Sequence, residues 1–286
     1  VLALPWAWLG LFLLVPAAIV LKISLAAPAD AVPPYSALLR WGGAWLPRVA
    51  LHLDSYALIL GDPLYLRALL LSVKVAGIAT LVCLLAGYPM ALAIAQAPER
   101  YRNALLLAVI LPFWTGLLQD DGWVNSALVA LGLGAHRLLY TDTAMYLGIV
   151  YTYLPFMVLP LYARLTRQDP TLLEAAADLG AAPWSAFWRV TFPLSLPGVW
   201  AGVLLVFIPA VGEYVIPELL GGPQAQLVGR VLWEEFFANR DWPMASALAV
   251  ALLVLLLIVP GGIWRLAGRH LARRHLAQQY LSRRGV

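Results

Sequence analysis

The stretch Asp169-Pro-Thr-Leu-Leu-Glu174-Ala-Ala-Ala-Asp-Leu-Gly180-Ala-Ala-Pro183-Trp-Ser-Ala-Phe-Trp-Arg-Val-Thr-Phe-Pro193-Leu-Ser-Leu-Pro197 joins two apolar segments of membrane-spanning length. A polar connection this long has to find its own local structure. Asp169 or Thr171 can cap a helix, and Thr171-x-x-Glu174 fits a capping box. Ala175, Ala176 and Ala177 propagate that helix. Gly180 ends it, and Pro183 suits the first turn of a second short helix. The expectation is a helix–turn–helix at the membrane surface, its apolar side formed by Leu172, Leu173, Leu179, Trp184, Phe187 and Trp188.

Composition places this loop in a membrane protein. Of the 286 residues, 62% are hydrophobic and 12% charged, with a mean hydropathy of +0.81. A soluble domain needs a more polar exterior than that, whereas lipid accepts an apolar one. The net charge of +4 does not signal nucleic acid, because the arginines are not gathered into a basic module with interleaved aromatics. The single cysteine, Cys83, lies in an apolar stretch and reads as a small buried hydrophobe. His52, His136, His270 and His275 are too scattered for a metal cluster, and no GxxxxGK[ST] phosphate loop occurs, so any ATP hydrolysis would have to come from a partner.

Apolar stretches of spanning length fall at 4–26, 67–96, 103–119, 144–166, 194–220 and 244–266. The chain opens at Val1 directly in an apolar run. The natural start is expected upstream, and Leu4–Ala26 is read as a retained span and not a cleaved leader. Arg100 and Arg102 sit in the 2–3 loop, Arg164, Arg167 and Arg189 in the 4–5 loop, and Arg265, Arg269, Arg273, Arg274, Arg283 and Arg284 at the C-terminal end. Positive charge favours the cytoplasm, so both termini and these two loops are placed inside. The expectation is an all-α integral membrane domain over 1–286, with six transmembrane helices, a cytoplasmic loop at 168–193 and a basic cytoplasmic tail at 267–286.

Glu174-Ala175-Ala176, Gly180 and Pro193 resemble the "EAA" loop of permease subunits in type I ATP-binding-cassette importers. That resemblance implies coupling helices that dock on the ATPase subunit, with Glu174, Ala175 and Ala176 in the docking helix, Gly180 at its turn, and Pro183 and Pro193 completing the loop. The likeness extends along nearly the whole chain. Val32-Pro33-Pro34-Tyr35, Gly87-Tyr88-Pro89, Leu111-Pro-Phe-Trp-Thr115, Leu154-Pro-Phe-Met-Val-Leu-Pro160, Phe207–Gly222 and Phe236–Pro243 look like the polyamine branch, in particular its putrescine-type permeases. One departure is that an Arg-x-Tyr-Ala-Trp stretch expected after Thr115 is missing. This leaves span 3 with about 16 apolar residues, near the lower limit for crossing. The resemblance implies a second, homologous permease, two ATPase subunits that bind the ATP, and a periplasmic polyamine receptor, with no cofactor in this chain and residence in the bacterial inner membrane.

Ionisable groups inside spans mark function by default. Glu213, between Pro209 and Pro217 and beside Gly212, is the first candidate for the path of a diammonium solute, since such interruptions line cavities. The alternative is a hydrogen bond within the bundle or a pair with a partner subunit. Glu218, Asp120 and Asp121 add charge, and Tyr214 and Trp123 add aromatic faces. Glu218 reads equally as a solvated residue or receptor contact, and Asp120 and Asp121 as ordinary loop charges. Lys74, inside span 2, would repel a cationic solute and is expected to snorkel outward or face a carboxylate. Gly198-x-x-x-Gly202 is a close-packing motif, within the bundle or across a permease dimer. Trp6, Trp45, Trp200 and Trp242 read as interface anchors.

Two other classes compete. Another solute, such as an amino acid, sulfate or molybdate, keeps the importer reading, although an anion path favours arginine where Glu213 stands. An ion-driven carrier would need internal repeats and paired acidic sites near the midplane, and only one clear site is present. A membrane enzyme would need a nucleophile–base or metal constellation, which the sequence lacks.

Overall fold

The computed structural model describes residues 3–40, 48–110, 122, 126, 129–130, 139–222, 224–258 and 261. In chain order its helices are α1 (Ala3–Leu9), α2 (Val15–Ser24), α3 (Asp54–Gly61), α4 (Pro63–Gln96), α5 (Glu99–Ile110), α6 (Asp142–Leu165), α7 (Thr171–Asp178), α8 (Pro183–Ala186), α9 (Phe192–Val211), α10 (Val215–Leu220), α11 (Val228–Trp233) and α12 (Trp242–Ile258). Single π-helical turns at Gly10–Leu14 and Phe187–Thr191 carry α1 into α2 and α8 into α9. Strand β1 (Leu39–Arg40) pairs antiparallel with β2 (Arg48–Val49), Leu39 opposite Val49.

Four helical runs among the described residues are long and apolar enough to cross a membrane: Pro5–Ser24, Pro63–Gln96, Asp142–Leu165 and Pro183–Val211. They correspond to the expected spans 1, 2, 4 and 5. Trp242–Ile258 is apolar but shorter, and the rest of expected span 6 lies outside the described residues. Expected span 3 begins in α5, and its continuation past Ile110 lies outside them too, as do Trp45 and the tail at 267–286.

The chain forms two compact units, Val1–Pro63 with Leu232–Val286, and Leu64–Val231. In the first, the run from α1 through the π turn into α2 is apolar apart from Lys22 and Ser24 near its end and exposes Trp6, Leu13 and Leu14, a surface that lipid accepts and water does not. Ser24 Oγ donates to the Leu21 carbonyl and meets Tyr56 Oη at 2.7 Å, tying α2 to α3. Asp241 Oδ1 accepts from Met244 N at 3.0 Å and so caps α12. Trp242, expected as an interface anchor, stacks on Phe236 with ring centroids 5.0 Å apart and also touches Tyr35.

The second unit is held by glycines. A Cβ on Gly87 would meet Met157 and Val158, one on Gly198 would meet Pro160 O at 2.9 Å, and one on Gly202 would meet Met157 Sδ at 2.6 Å. Three small positions on α4 and α9 thus let both helices close on one stretch of α6, where dispersion rather than water exclusion drives association. This places Gly198-x-x-x-Gly202 against the chain's own α6. Cys83, Met157, Val158, Leu161 and Val206 fill the resulting core, and Cys83 Sγ donates to Val150 O, as suits a small buried residue.

Span 5 differs from expectation at both ends. It begins earlier, because α8 runs through the π turn into α9 as one helix from Pro183 to Val211. The second half of the loop is therefore an extension of the span and not a separate surface helix. Pro193 has no N–H for the Arg189 carbonyl, a local reason for the helix to widen just before it. The span also stops at Val211 and restarts only at Val215.

Candidate functional site

Two constellations stand out. The first is the loop from Gln168 to Pro193. Its helix α7 starts without the expected capping box: Asp169 Oδ1 accepts from Thr171 N at 3.0 Å and from Thr171 Oγ1 at 2.8 Å. A hydroxyl engaged by the preceding carboxylate is diverted from capping, and Glu174 is left exposed. Those two bonds, the side-chain one foremost, hold the Asp169 carboxyl below its ordinary value.

The C-terminal end of α7 follows expectation. Gly180 has φ +78°, its N–H reaches Ala177 O at 2.8 Å, and Ala181 N–H reaches Ala176 O at 3.0 Å. This is a Schellman turn, which needs a residue that adopts left-handed φ without strain. Pro183 then opens α8 behind an extended Ala182. Ala176, Leu179, Gly180, Ser185 and Arg189 line a surface cleft of about 370 Å³. Leu179 is 89% exposed and Trp184 72%, so this part of the expected apolar side faces outward from this chain, whereas Phe187 turns inward.

The other side of the loop is anchored. Phe187 packs edge-on to Tyr88 at 5.6 Å and Trp188 against Phe192 at 4.9 Å. Tyr88 Oη lies 2.8 Å from Ser195 Oγ, which itself donates to Phe192 O. Gln168 Nε2 donates to Thr191 O, and Arg164 Nε to Leu194 O. The loop is thus joined to both α4 and α6.

The second constellation is the gap between α9 and α10. Glu213 Oε1 accepts from the backbone N–H groups of Tyr214 (3.1 Å), Val215 (2.9 Å) and Ile216 (3.3 Å). Its Oε2 accepts from Tyr153 Oη of α6. A carboxylate at the start of a helix satisfies donors that the break has freed. Of the two readings of Glu213, hydrogen bonding within the chain is therefore present. Gly229 of α11 lies so close that a Cβ there would run into the Gly212 and Glu213 carbonyls. Glu218 Oε2 pairs with Arg230 Nε at 3.1 Å. Both border a cleft of about 610 Å³ together with Tyr140 and Thr141.

Glu213, Tyr214 and Glu218 are thus gathered at one break, whereas Asp120, Asp121 and Trp123 lie outside the described residues. Tyr153 and Arg230 were missed as site residues. Tyr153 sits in an apolar run with nothing local to single it out, and Arg230 reads as one loop arginine among several. Of the two readings of Lys74, snorkelling outward or facing a carboxylate, the second finds no carboxylate in its cleft among the described residues. Lys74 is exposed and shares a cleft with Arg67, Gln224 and Gln226.

Residues 84–267 match the profile of the family described as binding-protein-dependent transport system inner membrane components. The chain is 37% identical over 269 residues to the spermidine/putrescine transport system permease protein PotB of Haemophilus influenzae, covering 90% of this chain and 89% of that protein. It is equally 37% identical to PotB of Escherichia coli K12, over 270 residues, 90% of this chain and 93% of that one. Among solved structures, a bacterial ABC transporter that imports the acidic polysaccharide alginate superposes with a TM-score of 0.65 at 19% identity, over 96% of this chain and 93% of the other.

Proposed function

The chain belongs to the family of binding-protein-dependent transport system inner membrane components, and we propose that the solute it carries inward is a polyamine. It is a multi-pass inner-membrane permease, a transport component and not an enzyme. The observation that carries the polyamine reading is the 37% identity to PotB along nine tenths of the chain. Putrescine and spermidine share what such a path reads, ammonium charge on a methylene chain, and putrescine is the solute to assay first.

In this reading Glu213, Glu218 and Tyr214 border the path, with Asp120, Asp121 and Trp123 contributing from the 3–4 connection. Glu213 acts by its field, because its four hydrogen bonds already occupy both oxygens. A cation held by field and aromatic faces can leave again, which translocation requires. Glu174, Ala175, Ala176, Gly180, Pro183 and Pro193 form the ATPase-coupling loop, supported by its outward apolar face and its inward anchoring to α4 and α6. The partners are a second, distinct permease, two ATP-binding-cassette subunits and a periplasmic polyamine-binding protein. Both termini lie in the cytoplasm, in keeping with the arginine distribution.

The test is putrescine uptake by liposomes holding the assembled transporter, with and without ATP, alongside a Glu174→Arg variant. Uptake that needs both ATP and Glu174 supports the whole reading. Coupled ATP hydrolysis without putrescine movement retains the importer and overturns the solute. Uptake indifferent to both overturns the coupling role.

A further inference from the structure

Arg67 and Lys74 stand two helical turns apart on one face of α4. Both are exposed, and neither side chain makes an ion pair or hydrogen bond among the described residues. Facing them is the segment from Gln224 to Leu227, in which side chains alternate. Ala225 and Leu227 are buried at 1% and 0% exposure, while Gln224 and Gln226 are exposed. The segment is pinned in place because Val228 N–H donates to the buried Ser72 Oγ at 2.8 Å, and Ser72 lies between Arg67 and Lys74 on α4. Two cations and two amides therefore share one cleft of about 520 Å³, walled by Leu64, Leu70 and Leu71 and without a carboxylate among the described residues.

The length of α4 sets the depth of this cleft. From Lys74 to Gln96 the helix rises about 33 Å at ~1.5 Å per residue, close to the ~30 Å hydrocarbon thickness. With Gln96 at one border of the hydrocarbon, Lys74 is at the other, and Arg67 stands about 10 Å further out among the headgroups. A guanidinium, an ammonium and amide donors at headgroup depth, beside an aliphatic wall, match a phosphate attached to acyl chains.

We propose that Arg67, Lys74, Gln224 and Gln226 bind the phosphate of an anionic phospholipid in the leaflet opposite the coupling loop, its acyl chain lying on Leu64, Leu70 and Leu71. The site does not depend on which solute the transporter moves.

The test is binding of fluorescent phosphatidylglycerol to the detergent-solubilised full chain, competed by unlabelled phosphatidylglycerol, phosphatidylcholine or inorganic phosphate. Saturable binding is expected, weakened about tenfold or more in Arg67→Gln/Lys74→Gln and retained in the charge-preserving Arg67→Lys/Lys74→Arg. Displacement by phosphatidylglycerol alone identifies the lipid as occupant. Displacement by inorganic phosphate as well supports the same phosphate site with the free anion as a second occupant. Equal binding by the parent chain and both the double Gln variant and its single-substitution components overturns the proposal, as does equal competition by phosphatidylcholine.

Discussion

Tyr153, midway along α6, donates its phenolic hydrogen to the carboxylate of Glu213, where α9 ends and span 5 is interrupted. One hydrogen bond between residues 60 positions apart therefore fixes the break in one span to the middle of another. Removing the hydroxyl in Tyr153→Phe withdraws a charge-assisted hydrogen bond, and a loss of roughly 1.5–3 kcal/mol is expected. Denaturant unfolding of the purified chain in micelles measures it, and unchanged stability would mean the bond contributes nothing in the membrane protein.

Glu213→Gln separates cap from charge. The amide oxygen still accepts the three backbone N–H groups, while the field at the break is gone. Stability is expected to stay within about 1.5 kcal/mol of the parent and putrescine uptake to fall about tenfold, the equivalent of ~1.4 kcal/mol in cation stabilisation. Full uptake in a folded Glu213→Gln protein would reduce Glu213 to a structural cap.

Substitutions in the proposed coupling loop should leave the fold intact. Glu174 is exposed and its side chain makes no hydrogen bond or ion pair among the described residues, so Glu174→Arg is expected to shift stability by less than about 0.5 kcal/mol while uncoupling ATP hydrolysis from uptake. Gly180→Ala meets no neighbouring atom within 4 Å, yet its φ of +78° costs an L-residue about 1–2 kcal/mol. Parallel ATPase and uptake assays on both variants check this. An uncoupled Glu174→Arg protein that unfolds early would point to lost folding instead.

The glycines should rank by what they touch. Gly198→Ala drives a methyl into the Pro160 carbonyl at 2.9 Å, while Gly202→Ala meets first the flexible Met157 Sδ. The backbone contact is expected to cost about 1–3 kcal/mol and the methionine contact less. Thermal unfolding of the two variants gives the order, and a reversed order would contradict the packing on α6.

Acid should loosen the start of α7. Thr171 holds Asp169 below its ordinary value of 3.8. A carboxyl depressed in the folded state stabilises it fully above the unfolded value and loses that contribution as pH falls through the folded one. Amide exchange at Thr171, corrected for its intrinsic pH dependence, is expected to lose protection only below that ordinary value. The same profile in Asp169→Asn would assign the effect elsewhere.

Much of this protein was legible because its signals are local. The Schellman turn at Gly180 needs only one residue able to take positive φ after an alanine-rich helix, and the start of α8 needs only Pro183. Spans 2 and 4 follow from long, predominantly apolar runs, which the backbone can cross in lipid only as helix. The capping box misled because Thr171 and Glu174 fit the pattern, while Asp169 sits one step nearer to the threonine hydroxyl. The break in span 5 was hidden for a related reason. Gly212-Glu213-Tyr214 interrupts a stretch whose average hydropathy stays high, and Pro209 and Pro217 are each compatible with a kinked but continuous helix.

The amino-acid order by itself determined that this is a multi-pass membrane protein with a structured polar loop after its fourth span, because solvation and local backbone preference act residue by residue. Which donors fill the oxygens of Glu213, which helix the glycines of α9 close upon, and which side chains surround Lys74 were decided only by tertiary structure. Those pairings join residues scores of positions apart, and their energies exist only once packing has excluded the other partners.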